Sequence, residues 1–142
     1  MGVPEILASK GHDVVTTNPD ATIHEVAQLM AKNQIGAVVM TDAKGNMCGI
    51  TSERDIVRQI AEKGVDALGQ PVSDCMTKKV VFSGLEETID SLMDKMTKGR
   101  FRHLPIIDND KLCGIISVGD VVKRKIDSVE QDADEMKRYI SG

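Results

Sequence analysis

The 142-residue chain has almost no aromatic side chains: one Tyr, two Phe and no Trp, 2% in all. A stacking platform for single-stranded bases, or an aromatic sugar cleft, has almost nothing to be built from. A large excess of one charge is also missing. Eighteen Lys and Arg stand against 22 Asp and Glu, a formal net charge of −4. That argues against a chain whose main task is to coat nucleic acid or an anionic membrane. No apolar run approaches the roughly 20 residues of a membrane span, and no charged-then-apolar leader opens the chain. A soluble, cytoplasmic protein with no membrane insertion is expected. Cysteine is scarce. Cys48, Cys75 and Cys113 are odd in number and show no CxxC spacing, which fits reduced structural thiols rather than a disulfide framework. Cys75 is the one expected to be most exposed. His12, His24 and His103 lie far apart, so no metal site is expected. Neither GxSxG nor a Walker sequence occurs, and an enzyme is not expected.

What the chain does contain is itself, twice. Shifted by 66 positions, Val14-Val15 meets Val80-Val81, Thr22-Ile23 meets Thr88-Ile89, Met30 meets Met96 and Asp42 meets Asp108. One residue is lost in the next turn, and at an offset of 65 Cys48-Gly49-Ile50 falls on Cys113-Gly114-Ile115. Ser52 then falls on Ser117, and Asp55 on Asp120. Ordered matches across a whole half, broken by one gap in a turn, identify a tandem repeat.

Each copy reads as strand, helix, strand, turn, strand, helix. The β-rich starts are Val14 to Thr16 and Val80 to Phe82. Helices begin at Thr22 and Thr88, with Thr22 and Glu25 spaced as a capping box. Val26, Leu29 and Met30 share one helical face, as do Ile89, Leu92, Met93 and Met96. Apolar strands at Ala37 to Met40 and Leu104 to Ile107 precede the turns, and strands at Met47 to Thr51 and Leu112 to Ile116 follow them. Second helices start near Ser52 and Ser117. The expected fold is α+β: two pseudosymmetric domains, each a small sheet covered by two helices, plus a long C-terminal helix. The division is 1–66 with a short N-terminal segment, 67–127, and a helical extension at 128–142, with Lys63 to Pro71 as linker. After Asp120, Val122, Ile126, Val129, Ala133, Met136 and Ile140 recur in steps of 4, 3, 4, 3, 4. A stripe at heptad spacing either folds back on its own domain or joins a second copy.

The segments Gly49-Ile50-Thr51-Ser52-Glu53-Arg54-Asp55 and Gly114-Ile115-Ile116-Ser117-Val118-Gly119-Asp120, with Arg102-His103-Leu104-Pro105-Ile106, resemble the CBS domain family, named for cystathionine β-synthase. Its pattern is Gly, two apolar residues, Ser or Thr, two variable residues, then Asp. The resemblance covers Val3 to Asp127 as two CBS domains in tandem, a Bateman module. It implies a non-catalytic regulatory module that binds adenosine-containing ligands (AMP, ADP, ATP, NAD or S-adenosylmethionine) in clefts between paired domains and signals to an unidentified regulated protein. It implies no required cofactor beyond that regulatory nucleotide, and a homodimer. The alternative is a homodimeric interaction or adaptor protein whose clefts are vestigial.

Carried onto this chain, the resemblance gives Asp55 and Asp120 the two ribose hydroxyls. Ser52 and Ser117 would stand at helix starts where free amides suit phosphate oxygens. Thr16, Thr17, Val81, Phe82 and Ser83 would supply backbone edges for adenine, with Ala37, Val38, Leu104 and Pro105 as apolar walls. On spacing alone, Ser52-x-x-Asp55 and Ser117-x-x-Asp120 are equally capping boxes, and both uses can coexist. The copies differ in charge. Arg100, Arg102 and His103 correspond to Gln34, Gly36 and Ala37. By analogy, a nucleotide on Asp55 would find Arg102 and His103 near its phosphates, while one on Asp120 would have only Arg54 or Lys44. The Asp55 site is therefore expected to prefer the more highly charged ligand.

Overall fold

The computed structural model describes residues 2–141. Its first long helix, α2 (Ile23–Asn33), starts at Thr22, whose hydroxyl accepts the Glu25 amide at 3.1 Å. Only this threonine half of the expected capping box forms. Ile23, Val26 and Met30 recur at helical spacing and are buried, while Leu29 packs at the margin of the same core. Gln34 ends the helix in the left-handed region at φ 55°. Its counterpart Arg100 ends α4 (Ile89–Gly99) at φ 56°, so the repeat extends to a backbone conformation that non-glycine residues rarely adopt.

Three strands follow from the first copy: β1 (Thr16–Thr17), β2 (Ala37–Thr41) and β3 (Met47–Ser52), in the order β1-β2-β3. β1 runs parallel to β2, and β2 antiparallel to β3. β2 is buried on both faces over Ala37 to Met40, which is why it reads as an uninterrupted apolar run rather than an alternation. Helix α3 (Glu53–Lys63) leaves directly from the end of β3.

The second copy repeats this with β4 (His103–Asp108), β5 (Lys111–Ser117) and α5 (Val118–Ser141). Its hairpin turns through Asn109 and Asp110, both left-handed at φ 50° and 63°, the geometry that matches the twist of the flanking strands. The strand expected at Val80 to Phe82 does not form. One parallel bridge, Ser83 to Ile106, stands in its place, and Val81 and Phe82 are about half exposed. In the first copy the strand lies slightly later than expected, at Thr16–Thr17.

The chain forms two compact units. One is Asp13–Val81; the other is the chain before Asp13 together with the chain after Val81. This differs from a division at residue 66. Helix α1 (Val3–Lys10) belongs with the second copy, where Val3, Ile6 and Leu7 share a core with Leu92, Leu104, Ile106 and Ile116. The expected linker, Lys63 to Pro71, is itself structured. It holds the 3-10 turn Val65–Gly69, with Ala67 buried, and a second turn, Val72–Asp74, follows it directly, where Val72 packs with Val26, Val38 and Ile56.

Two bridges show that α1 and the segment after Pro71 are equivalent. Gly2 pairs with Thr88, and Pro71 pairs with Thr22, the repeat counterpart of Thr88. Likewise a Cβ on Gly114 would lie 2.7 Å from Leu7, and one on Gly49 would lie 2.5 Å from Met76. Val3-Pro4-Glu5-Ile6-Leu7 therefore corresponds to Val72-Ser73-Asp74-Cys75-Met76. Each copy is completed by the segment that precedes the other in sequence.

Candidate nucleotide half-sites

In the first unit, strand register assembles the predicted residues. Ala37 lies opposite Ser52 across the β2–β3 pair, and Val38 opposite Thr51. Thr16 and Thr17 run alongside Val39 and Met40. The turn into α3 is held by the Glu53 amide donating to the Gly36 carbonyl at 3.0 Å. Ser52 and Asp55 close a full capping box. The Asp55 amide donates to Ser52 Oγ at 3.3 Å, and the Ser52 amide donates to Asp55 Oδ2 at 2.9 Å. The Ser52 hydroxyl adds a third bond, 3.2 Å to the same Oδ2. Both bonds to the carboxylate use Oδ2, so Oδ1 of Asp55 is left to accept from outside. Among the described residues no cation pairs with Asp55. Arg54 is exposed beside it. Thr17 also borders a shallow depression of about 290 Å³ lined by Glu25, Gln28, Leu29 and Lys32.

The second unit repeats the frame. His103 lies opposite Ser117, and Leu104 opposite Ile116. The Val118 amide donates to the Arg102 carbonyl at 2.8 Å. The Ser117 amide donates to Asp120 Oδ2 at 2.8 Å, and the Asp120 amide to Ser117 Oγ at 3.1 Å. Ser83 joins the sheet through its amide, 3.1 Å from the Pro105 carbonyl. Leu104 and Pro105 are buried. Arg102 and His103 thus lead into the strand that faces the start of α5, whereas Gly36 and Ala37 hold those places in the first unit. Arg100 sits apart from this frame. It is the exposed C-cap of α4, its amide bonded to the Met96 carbonyl.

Two lysines make the half-sites unequal, and the sequence reading missed both. Lys10, in the last turn of α1, donates to Asp120 Oδ2 and to the Ile115 carbonyl, each at 2.7 Å. Burial pushes the Asp120 carboxyl up, but the Lys10 hydrogen bond, the Ser117 amide and the Lys10 charge outweigh it, so Asp120 titrates below the usual carboxylate value. Lys95 donates to the buried Ser83 Oγ at 2.8 Å and to Glu87 Oε1 at 2.6 Å, with the Phe82 carbonyl 3.4 Å away. The Lys95 and Ser91 hydrogen bonds hold Glu87 below its usual value. In the first copy Leu29 replaces Lys95 and Ala21 replaces Glu87. Lys10 had no signal in the local sequence, because it is the packing of α1 on the second copy that brings it to Asp120.

The sequence matches the CBS domain family twice, over residues 7–62 and 72–127. The chain belongs to the CBS domain family. The crystal structure of the CBS-domain containing protein ATU1752 from Agrobacterium tumefaciens is 50% identical, covers 88% of this chain and 99% of its own, and superposes with a TM-score of 0.86. The CBS domain protein PAE2072 from Pyrobaculum aerophilum, complexed with AMP, is 25% identical over 84% of this chain and 89% of its own, at a TM-score of 0.75. The CBS domain pair of protein MJ0100, in complex with 5′-methylthioadenosine and S-adenosyl-L-methionine, shares the fold at 22% identity and a TM-score of 0.80, covering 90% of this chain and 98% of its own. The chain spans 23% of the length of the CBS domain-containing protein CBSCBSPB1 from Arabidopsis thaliana, at 28% identity over 123 residues.

Cys75, expected to be the exposed thiol, is half-buried with its sulfur 3.7 Å from Thr51 Oγ1. Burial pushes the thiols of Cys48, Cys75 and Cys113 up, away from the thiolate. Among the described residues no three His, Cys, Asp or Glu side chains gather to hold a metal, and no helix is long and apolar enough to cross a membrane.

Proposed function

We propose that this CBS pair is a non-catalytic regulatory module that binds an adenosine-containing nucleotide and passes its occupancy to a partner protein. The observation that carries the reading is the doubled Ser-x-x-Asp frame: an aspartate in the first turn of a helix, with one carboxylate oxygen engaged by the cap and the other available. That oxygen suits a ribose hydroxyl, and the amides of the same helix start suit phosphate. Family membership and the AMP complex of the Pyrobaculum protein support the ligand class. AMP, ADP, ATP, NAD and S-adenosylmethionine are the ligands to try.

The two halves are proposed to contribute differently. Among the described residues Asp55 has no competing cation, so it is the ribose acceptor. Asp120 is held by Lys10, and Arg102 and His103 lie in the same half, so that half supplies positive charge. A ligand that favours one arrangement of the protein shifts its population, and a partner reads the shift. Self-association through the exposed apolar stripe of α5 belongs to this reading.

The test is a thermal-shift panel on nucleotide-free protein, repeated on Asp55→Ala and Asp120→Ala. A ligand at 100 times its Kd stabilises by about 2.7 kcal/mol. The expected result is a shift with at least one ligand that is lost in Asp55→Ala and largely kept in Asp120→Ala. No shift with any ligand would favour instead a homodimeric adaptor whose clefts are vestigial.

A further inference from the structure

Helix α5 runs well beyond the part its own core holds. Val121 is fully buried in that core, but Val122, Ile126, Val129, Met136 and Ile140 are 43% to 79% exposed. Ala133, between them, is exposed as well. These six positions follow one another at steps of 4, 3, 4, 3 and 4, so they form one continuous exposed seam along the helix. Ile126, Ala133 and Ile140 take the a positions of a heptad; Val122, Val129 and Met136 take the d positions.

The charges beside the seam decide what can cover it. The e positions are Lys123, Glu130 and Lys137, and the g positions are Lys125, Asp132 and Tyr139. In a parallel, in-register pair each g side chain faces the e side chain of the following heptad on the other helix. Lys125 then meets Glu130 of the second copy, and Asp132 meets Lys137: opposite signs both times. In the antiparallel alignment that keeps the apolar layers together, Ile126 lies against Met136 and Val129 against Ala133. There e faces e and g faces g. Lys123 meets Lys137, Glu130 meets Glu130, and Asp132 meets Asp132, all of like sign.

We infer that the α5 seam is the seat for α5 of a second copy, parallel and in register. This deepens the self-association in the proposed function and rests on it. Lys125 lies 3.2 Å from Asp90 in its own chain, but both side chains are well exposed, and such a pair contributes little. An anionic lipid surface fits worse, because Asp127, Glu130, Asp132, Asp134 and Glu135 crowd the middle of the helix.

The experiment is mild oxidation of Met136→Cys with diamide, followed by non-reducing electrophoresis, beside the unaltered protein with its three half-buried cysteines. Met136 is 65% exposed, so the substitution leaves the fold intact. The parallel pair brings the two introduced thiols side by side, and most of the protein should run as a disulfide-linked dimer that the unaltered chain does not form. Asp132→Lys should lower the yield several-fold, and adding Lys137→Asp to it should restore the yield. Light scattering separates the ways of failing. A mass of one chain at every concentration overturns self-association itself. A dimeric mass without a Met136→Cys cross-link overturns the α5 pairing alone. So does cross-linking confined to a mixture of Ile126→Cys with Met136→Cys, the antiparallel result.

Discussion

The Lys10 ammonium lies 2.7 Å from Asp120 Oδ2, although 110 residues separate them in sequence. The contact exists because α1 packs on the second copy. It gives the second copy's aspartate a cation that the first copy's lacks among the described residues, so a repeat that is symmetric in backbone becomes asymmetric in charge.

Removing that ammonium should equalise the two half-sites. In Asp55→Ala, where only the second half can hold ribose, Lys10→Met is expected to strengthen AMP binding about tenfold, roughly 1.4 kcal/mol. Isothermal titration of Asp55→Ala against Asp55→Ala/Lys10→Met reads the difference. If the double variant binds no better, Lys10 does not compete with ribose.

The same pair fixes a pH dependence. The folded-state pKa of Asp120 is depressed below 3.8. Its stabilising contribution is therefore complete above the unfolded-state value and lost as pH falls through the lower folded value. Near pH 7 Lys10→Met should melt slightly lower than the unaltered protein, by no more than about 1 kcal/mol for a pair that is only partly buried. That gap should begin to narrow as pH falls past the unfolded-state value of about 3.9 and close only below the lower folded-state value. Melting curves of both proteins across acid pH decide it; a gap constant down to strong acid would mean that Lys10 acts only through packing.

Leu7 tests which core α1 completes. It is fully buried beside Leu92, Leu104 and Ile116, and Leu7→Ala should cost about 2–5 kcal/mol. Amide exchange in β4 and β5 should accelerate before that in β2 and β3. Faster exchange in the first unit alone would place the helix there instead.

Capping and ligand binding can be separated at the first half-site. Ser52→Ala removes the hydroxyl that accepts the Asp55 amide and should cost about 1 kcal/mol. Asp55→Asn keeps an oxygen for the Ser52 amide, so it should cost less stability while weakening nucleotide binding more than Ser52→Ala does. Urea titration and nucleotide binding on both variants give the comparison; equal effects on binding would make Asp55 a cap only.

Much of this molecule was readable from local pattern. The tandem repeat, the α+β order of elements and the Ser52–Asp55 and Ser117–Asp120 helix starts depend on neighbours a few residues apart, and periodicity and capping chemistry expose them directly. The long C-terminal helix was legible for the same reason. Val81 and Phe82 misled because β-rich composition marks a strand only where a neighbouring strand pairs with it, and here the pairing narrows to the single bridge at Ser83.

Other features had no local signature. Nothing in Gly2 to Lys10 states that this helix completes the second copy while Pro71 to Met76 completes the first. That exchange is decided by which apolar surface each segment covers: Leu7 meets Gly114, and Met76 meets Gly49. Hydrophobic burial is non-directional, so sequence order does not choose between two similar cores; the shape of the facing surfaces does. Once the exchange is made, Lys10 reaches Asp120. The sequence by itself determined two copies of one frame; only the tertiary structure decided that their aspartates are not equivalent.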